Sequence, residues 1–519
     1  YAAYHEAVNH QGQPTVILAK TVKGYGMGEA GEAQNITHQQ KKMGTTSLQA
    51  FRSRFKLPLS EEQVEKLEYI QLPEDSPEMK YMHARRQALG GFLPSRRRQA
   101  QPLAVPPLST FDSLLQASGK DREFSTTMAF VRALGMLLKD KAIGKHIVPI
   151  VADESRTFGM EGLFRQIGIW SQQGQLYTPQ DKDQLMFYKE AKNGQILQEG
   201  INEAGAMCSW LAAATSYSTH GVPMIPFFIF YSMFGVQRTG DLWWAAGDSR
   251  ARGFLLGGTA GRTTLNGEGL QHEDGHSHVW AAQIPNCVPY DPTFGYEVAV
   301  ILQDGLRRMY AEQEDVYYYL TVMNENYTHP ALPKGAEEGI LKGMYRLRKA
   351  PAGKGARVQL LGSGTILNEV IAAADLLKKD WKVAADIWSC PSFTLLARDG
   401  ESCARWNLLN PEGKRRVPYV EQCLKDTSGP VIASTDYVRA FADQIRPYIR
   451  RQYRVLGTDG FGRSDTREKL RHFFEVDRHW VVLAALTALV EEKKLKRDVL
   501  AKAIKKYGLD PAKPNPMTV

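Results

Sequence analysis

The sequence has few cysteines and no long hydrophobic segment, and both absences exclude whole classes of protein. Its five cysteines form no Cys-x-x-Cys pair and show no zinc-site spacing, so we interpret them as buried thiols of a reducing compartment. The most apolar stretch, residues 223–234, is too short to cross a bilayer and is interrupted by proline. The first residues lack the basic start and apolar core of a signal peptide. We therefore expect a cytoplasmic protein with no membrane partner.

Positive charge is present only in modest excess. The net charge is +9 over 519 residues, and basic residues are densest at 85–86, 96–98 and 493–506. Such clusters are usually solvated faces, and no aromatic interleaving or nucleic-acid reader motif accompanies them. Nucleic acid is therefore not an expected partner, although a basic surface can help to dock an acidic carrier domain.

The length of 519 residues suggests about three domains. Residues 1–105 contain a buried-looking strand at 15–19, a glycine-rich segment at 23–28 and two amphipathic helical stretches. A basic, proline-punctuated connector at 93–107 indicates the first boundary, because proline and like charges both oppose compact structure. The predicted domains are residues 1–105, 106–332 and 333–519.

The second and third predicted domains alternate apolar strands with helices. In the second, strands are predicted at 147–152, 224–230 and 254–257, and a helix at 240–249. In the third, strands are predicted at 358–364, 384–388 and 431–434, and a helix at 369–379. Continuous apolar strands separated by helices favour a parallel sheet covered on both faces. The fold class is therefore α/β.

Residues 194–214 carry the most informative pattern of the chain. Glu203 is predicted to open a helix whose other residues are small enough for close packing. An acid in the first turn of a helix is favoured by the helix dipole alone, so a purely structural role is one interpretation. A carboxylate there can also accept a hydrogen bond from a ligand.

Four other segments contain residues able to take part in catalysis. Aromatic residues, among them Tyr231 and Phe234, follow the end of a predicted strand, where open α/β sheets bind ligands. His272 lies in a segment with two further histidines and two acids, but no partner cluster completes a zinc site, so no metal is predicted there. The remaining segments hold Asp153 with Glu154, and His38.

These last residues each have a structural alternative. Asp153 and Glu154 follow a buried strand, and paired carboxylates there are a hint of function, but pairing with Arg156 or Arg165 would be structural. His38 is an isolated loop histidine, which usually has no special role. Residues 457–467 fit neither a phosphate loop nor an EF-hand.

Together these segments resemble the pyruvate-decarboxylating first component of bacterial pyruvate dehydrogenase complexes, of the homodimeric type. The resemblance extends over the whole chain. It implies a transketolase-like thiamine diphosphate-binding fold, with parallel sheets flanked by helices and a transketolase-type carboxyl-terminal domain that carries residues 457–467. The implied cofactors are thiamine diphosphate and Mg²⁺. The implied partners are pyruvate, a second copy of the chain, and the lipoyl domain and peripheral-subunit-binding region of the dihydrolipoyl acetyltransferase component.

The resemblance also implies roles for single residues. Glu203 would hydrogen-bond a pyrimidine nitrogen of the cofactor and promote ionisation of its thiazolium carbon, Phe234 would stack on that ring, and Tyr231 would lie close to it. His272 would lie near the substrate, and Asp153 and Glu154 in the active-site channel. His38, on a flexible loop, would help to pass the acetyl group to the lipoyl arm. A second loop at 173–189 would close over the site with the first.

One expected pattern is missing. Thiamine enzymes hold the diphosphate through a metal bound by Gly-Asp-Gly and a later asparagine. Asp-Gly occurs at Asp274, Asp304, Asp399 and Asp459, and in no case with the preceding glycine and the later asparagine. We therefore expect a chain that lacks the amino-terminal, diphosphate-binding part and is inactive alone. The alternatives are a transketolase that acts on sugar phosphates, and a non-catalytic fragment or interaction subunit.

Overall fold

A computed structural model describes residues 1–91, 97–153, 155–353 and 355–519. The chain divides into two compact units, Tyr1–Ser95 and Arg96–Val519. In the described residues no helix is both long and apolar enough to cross a membrane. The predicted connector at 93–107 begins among residues 92–96, which are outside the described ranges.

In its described residues, the first unit contains four short α-helices and little buried apolar surface. The helices are α1 (Ala2–Asn9), α2 (Thr45–Phe55), α3 (Glu61–Glu65) and α4 (Pro77–Ala88). Two of them begin at a serine cap: Ser60 and Gln63 form a capping box at α3, and Ser76 caps α4. Val64 of α3 is buried.

The strand predicted at residues 15–19 is wrong. These residues form neither strand nor helix, and their side chains are exposed: Val16 is 80% and Leu18 92% exposed. A strand requires a hydrogen-bonded neighbour, and the described part of this unit contains no strand to supply one. Apolar composition alone therefore misled the prediction.

The second unit is built on two sheets. The first has six parallel strands in the order β4-β1-β5-β6-β8-β7. A two-stranded pair, β2 with β3, adjoins it through a single bridge between Ile169 and Ile196. These strands are β1 (Ile147–Val151), β2 (Ile169–Trp170), β3 (Glu190–Ala191), β4 (Leu197–Gln198), β5 (Ile225–Tyr231), β6 (Phe254–Gly258), β7 (Cys287–Tyr290) and β8 (Tyr317–Thr321). The three strands predicted here are confirmed, and their continuous burial is typical of a sheet covered on both faces.

Nine helices accompany this sheet in the described residues. They are α5 (Asp112–Leu115), α6 (Thr126–Leu137), α7 (Gly162–Ile167), α8 (Glu203–Ala214), α9 (Ser216–Thr219), α10 (Ser232–Asp248), α11 (Ser277–Ala282), α12 (Gly295–Leu306) and α13 (Glu337–Lys342). Glu203 opens α8, as predicted. Helix α10 begins at Ser232, eight residues before the predicted start at 240, because β5 passes directly into it and an irregular residue, Thr239, interrupts the pattern.

The second sheet has the order β13-β12-β10-β11-β9, with β9 antiparallel at one edge. Its strands are β9 (Tyr345–Arg348), β10 (Arg357–Gly362), β11 (Ala384–Ser389), β12 (Val431–Ser434) and β13 (Tyr453–Leu456). Its helices are α14 (Ile366–Trp381), α15 (Phe393–Leu409), α16 (Tyr419–Leu424), α17 (Arg439–Asp443), α18 (Arg467–Phe473), α19 (Arg478–Glu491) and α20 (Asp498–Tyr507). The predicted strands and helix of this region are confirmed.

Buried polar groups join the two sheets. Glu297 of α12 accepts hydrogen bonds from the Tyr345 hydroxyl at 2.7 Å and the Ser389 hydroxyl at 2.6 Å, both from the second sheet. Asp291 likewise accepts from Ser363 Oγ at 2.7 Å. Burial raises the pKa of both carboxyls, that of Asp291 to about 7. Because buried polar groups are costly without partners, these bonds hold the sheets in one arrangement.

Two glycines of α10 give opposite predictions for the same substitution. A Cβ on Gly235 would lie 2.1 Å from Phe230 Cε2, whereas a Cβ on Gly240 would meet nothing within 4 Å. We expect Gly235→Ala to lower the free energy of unfolding by about 1–3 kcal/mol through overpacking. Gly240→Ala should raise it by about 0.4–1 kcal/mol. Denaturant unfolding of the two variants checks this, and equal effects would contradict the packing described.

Candidate functional site

The candidate site lies at the carboxyl edge of the first sheet. Strands β1, β4, β5 and β6 are parallel, so the segments that follow them leave the sheet at the same edge. Asp153 follows β1, Glu203 follows β4, Tyr231 ends β5, and His272 lies in the connection after β6. The topology thus brings residues that are far apart in sequence to one edge.

The segment before Glu203 is fixed by its contacts with β1. The Gln195 side chain donates to the carbonyl oxygens of Gly144 and Ile147 at 2.6 and 2.7 Å. Leu197 then pairs with Ile150 in the sheet. Next, Asn202 caps α8 by accepting a hydrogen bond from Gly205 N at 3.0 Å. These contacts position Glu203 at the sheet edge.

Glu203 is a nearly buried carboxylate with one cationic partner. It is only 9% exposed and lies in the first turn of α8, where the helix dipole stabilises negative charge. Its Oε1 accepts a hydrogen bond from Arg238 Nη1 of α10 at 2.8 Å. The same guanidinium carbon lies 4.0 Å from the ring centroid of Phe234. A carboxylate and an aromatic face therefore converge on one planar cation.

Aromatic rings form a wall beside this pair. The ring centroids of Tyr231 and Phe234 are 5.7 Å apart, and that of His272 lies 4.9 Å from the first and 5.2 Å from the second. His272 Nδ1 is 3.5 Å from Glu268 Oε2. The structure thus brings Glu203, Tyr231, Phe234 and His272, all singled out from the sequence, into one cluster.

Asp153 lies at the end of β1 in a left-handed backbone conformation, with φ of 65°. Its Oδ1 accepts from Gln198 Nε2 at 2.5 Å, and no ion pair of Asp153 is found among the described residues. Arg156 instead pairs with Asp181, so the structural alternative of an Asp153–Arg156 pair is not what the structure shows. Glu154 is outside the described residues.

The predicted second loop, residues 173–189, is held by hydrogen bonds from Arg156 and Arg165, which both follow β1. Asp181 accepts a hydrogen bond from Tyr188 N at 2.9 Å and pairs with Arg156, which follows β1. Tyr177 donates to Glu190 at 3.1 Å. His38 lies in a short turn, Asn35–Gln39, of the first unit.

The other two histidines near His272 make local contacts. His278 is buried, and its Nε2 lies 2.8 Å from Thr321 Oγ1. Burial lowers its pKa and so keeps the imidazole neutral. His276 Nε2 lies 3.2 Å from Gln237 Oε1, and burial lowers its pKa too. Over the described ranges, no group of three or more His, Cys, Asp or Glu is arranged to hold a metal ion.

Glu273, next to His272, connects the site to the second sheet's domain. It is 1% exposed, and its Oε2 accepts from Arg463 N at 2.6 Å in the loop before α18. A Cβ on Gly462 would lie 2.9 Å from Glu273 Cβ, so the loop is closely packed on it. Burial raises the pKa of Glu273 to about 8, although the hydrogen bond opposes this. The carboxyl is therefore largely protonated at neutral pH.

Sequence reasoning missed Arg238, Gln198 and Asp181. Arg238 is four residues after Phe234 on α10, which places both side chains on one helix face. That signal was present, but the helix was predicted to begin only at residue 240. Gln198 and Asp181 depend on tertiary contacts with β1 and Arg156, which no local pattern reveals.

A pH-dependent stability follows from Glu273. A folded-state pKa above the ordinary value means that the folded protein binds the proton more tightly, so the free energy of unfolding falls as pH rises from the usual glutamate range to about 8. Glu273→Gln resembles the protonated form, so its free energy of unfolding does not fall in this way as pH rises. We expect its unfolding midpoint to match wild type near acidic pH and exceed it above about pH 8.

Denaturant unfolding at both pH values measures this difference. The control is Glu401→Gln, at an exposed glutamate of α15. If the midpoint of Glu273→Gln stays level with wild type above neutral pH, the carboxyl is ionised in the folded protein.

Comparison with known families matches most of the second unit. Residues 103–330 match the family described as the pyruvate dehydrogenase E1 component middle domain, and residues 343–477 match the transketolase-like C-terminal domain. Among solved structures, transketolase from Campylobacter jejuni subsp. jejuni NCTC 11168 is similar, with a TM-score of 0.59 at 17% identity over 92% of this chain and 63% of that one. This likeness shows the transketolase-like fold predicted from the sequence.

Curated relatives are much closer in sequence. The pyruvate dehydrogenase E1 component of Cupriavidus necator H16 is 70% identical over 520 residues, and that of Escherichia coli K12 is 59% identical over 519 residues. The matches cover 100% and 99% of this chain, and the chain spans 58% of the length of each relative. The chain belongs to the family of the pyruvate dehydrogenase E1 component.

Proposed function

We propose that this chain forms the pyrimidine-binding part of a thiamine diphosphate-dependent pyruvate dehydrogenase. The whole protein would decarboxylate pyruvate oxidatively and acetylate the lipoyl group of the acetyltransferase component. The observation that supports this most is the convergence of Glu203 with Phe234, Tyr231 and His272 at the sheet edge, in a chain 70% identical to a pyruvate dehydrogenase E1 component.

The residues present fit the aminopyrimidine ring of the proposed cofactor. Such a ring offers a flat face and N–H donors at its edge. Phe234 supplies a face and Glu203 an acceptor, and a planar group with N–H donors, the Arg238 guanidinium, already contacts both. When bound, thiamine diphosphate supplies the carbon nucleophile that adds to the keto group and the electron sink for decarboxylation.

The chain's own residues would orient that chemistry and move protons. A carboxylate oxygen of Glu203 would accept a hydrogen bond from a protonated pyrimidine nitrogen. Its 9% exposure strengthens the bond because little water competes. His272, whose Nδ1 lies 3.5 Å from Glu268 Oε2, would transfer protons near the substrate. Asp153, with Gln198 holding its Oδ1, would line the channel.

We further propose the remaining parts of the assembly. Mg²⁺ and the diphosphate would be held by residues other than these 519, since the Gly-Asp-Gly pattern with its asparagine is missing from the sequence. The functional divisions would be residues 1–105, 106–332 and 333–519, and the working unit a cytoplasmic homodimer. His38 would act with the lipoyl domain, and the peripheral-subunit-binding region would hold the enzyme on its core.

The role of Glu203 is testable in the protein at the full length of the relatives. Glu203→Gln should lower pyruvate decarboxylation by several orders of magnitude, because an amide cannot exchange a proton with the pyrimidine nitrogen. Stopped-flow or steady-state assays with an artificial electron acceptor measure this, with Glu401→Gln as the control. The 519-residue chain alone should show no turnover. Near-normal activity of Glu203→Gln would refute the assignment.

Decarboxylation and acetyl transfer can be separated at His38. His38→Ala should leave turnover with an artificial electron acceptor within about a few-fold of wild type, while acetylation of an added lipoyl domain falls by about 10²- to 10⁴-fold, the range of one lost acid–base group. His5→Ala, at an exposed histidine of α1, is the control. Equal losses in both assays would assign His38 to decarboxylation instead.

A further inference from the structure

Arg238 contacts both groups that the proposed function assigns to the cofactor ring. Its Nη1 donates to Glu203 Oε1 at 2.8 Å, and its guanidinium carbon lies 4.0 Å from the Phe234 ring centroid. Helices α8 and α10 pack side by side, and α10 carries Arg238 one turn beyond Phe234. One side chain thus engages the carboxylate acceptor and the aromatic face at the same time.

The guanidinium presents the same chemistry as the edge and face of a protonated aminopyrimidine. It is planar, it is cationic, and it carries N–H donors in its plane. A carboxylate accepts from that edge, and an aromatic ring attracts the cationic face. A ring that hydrogen-bonds Glu203 and stacks on Phe234 would therefore occupy the position of the Arg238 guanidinium and replace its two contacts.

We propose that Arg238 is a resident occupant of the ring site, and that ring binding is an exchange in which the guanidinium leaves. The arginine is suited to this because its side chain is 49% exposed and can return to water on a flexible stem. Glu203, by contrast, is nearly buried and needs a positive or donating partner at all times. Arg238 supplies that partner until a ring replaces it.

The exchange also sets specificity. A ligand that offers only a flat face replaces the contact with Phe234 but leaves the Glu203 carboxylate without a donor. A ligand that offers only a donor leaves the ring face uncovered. Because an unpaired buried charge is unfavourable, only a group with both features displaces Arg238 without loss. Arg238 is in this sense a positioning and selecting residue.

The test uses the 519-residue chain and the free pyrimidine 4-amino-5-hydroxymethyl-2-methylpyrimidine as probe, so that neither metal nor diphosphate is required. Binding is measured by ligand-observed NMR. Arg238→Ala should bind the probe roughly 3- to 30-fold more tightly, as expected for removal of an exposed ion pair and a cation–π contact. Arg238→Lys keeps the ion pair without the flat stacking and should show a smaller gain.

The matched control is Arg415→Ala. Arg415 is 48% exposed and pairs with Glu421 at 2.9 Å in the second sheet's domain. This variant should bind as wild type does. Thermal unfolding of each variant verifies that it is folded.

A second measurement follows the guanidinium itself. In wild type, the arginine ¹³Cζ and ¹⁵Nη signals that disappear in Arg238→Ala identify this residue. Addition of the pyrimidine should shift these signals to the values of a solvated guanidinium.

Because the inference rests on the proposed ring site, its failure must be told apart from failure of that site. Equal or weaker probe binding by Arg238→Ala, with binding abolished in Phe234→Ala, overturns the exchange and leaves the ring site standing. Binding by neither wild type nor Arg238→Ala overturns the ring site and the exchange together.

Discussion

A nearly buried carboxylate needs a partner for its charge, and the arrangement of the candidate site follows from this need at Glu203. The amino terminus of α8 provides part of the compensation, and the guanidinium of Arg238 provides the rest. Both require that α8 and α10 begin at the same sheet edge. That edge exists because β1, β4, β5 and β6 run parallel, so the geometry of one sheet determines where a charge can be placed out of water.

The second sheet contributes by fixing the surroundings of this edge. Hydrogen bonds to Asp291 and Glu297 join the two sheets through buried carboxyls. Glu273 extends the same connection to the residue beside His272, through Arg463 N. The connecting groups are buried and leave little freedom. A small movement of one sheet relative to the other would therefore move His272 relative to Tyr231 and Phe234.

Much of the fold could be predicted from the sequence, because long apolar strands and glycine-rich turns carry a strong local signal. The predictions of strands β1, β5, β6, β10, β11 and β12 and of the start of α8 are confirmed. The prediction for residues 15–19 is wrong because a strand depends on neighbours that composition does not show. The predicted start of α10 is wrong because aromatic residues suit the end of a strand and the first turn of a helix equally.

The candidate site was predictable only in part, because some of its contacts depend on residues that are distant in sequence. Glu203, Tyr231, Phe234 and His272 stand out by pattern, and their convergence follows from parallel topology. Gln198 and Asp181 act through tertiary contacts that no local pattern contains. The signal for Arg238 is local, because it lies four residues after Phe234, but it is visible only if the helix begins before residue 240.

The most direct measurement is a crystal structure of the protein, at the full length of its relatives, with thiamine diphosphate and Mg²⁺. We predict a Glu203 carboxylate oxygen within about 3.2 Å of a pyrimidine nitrogen, with Phe234 against the ring face and Arg238 released. A cofactor ring bound elsewhere, with the pair between Glu203 and Arg238 intact, would contradict the assignment of this site.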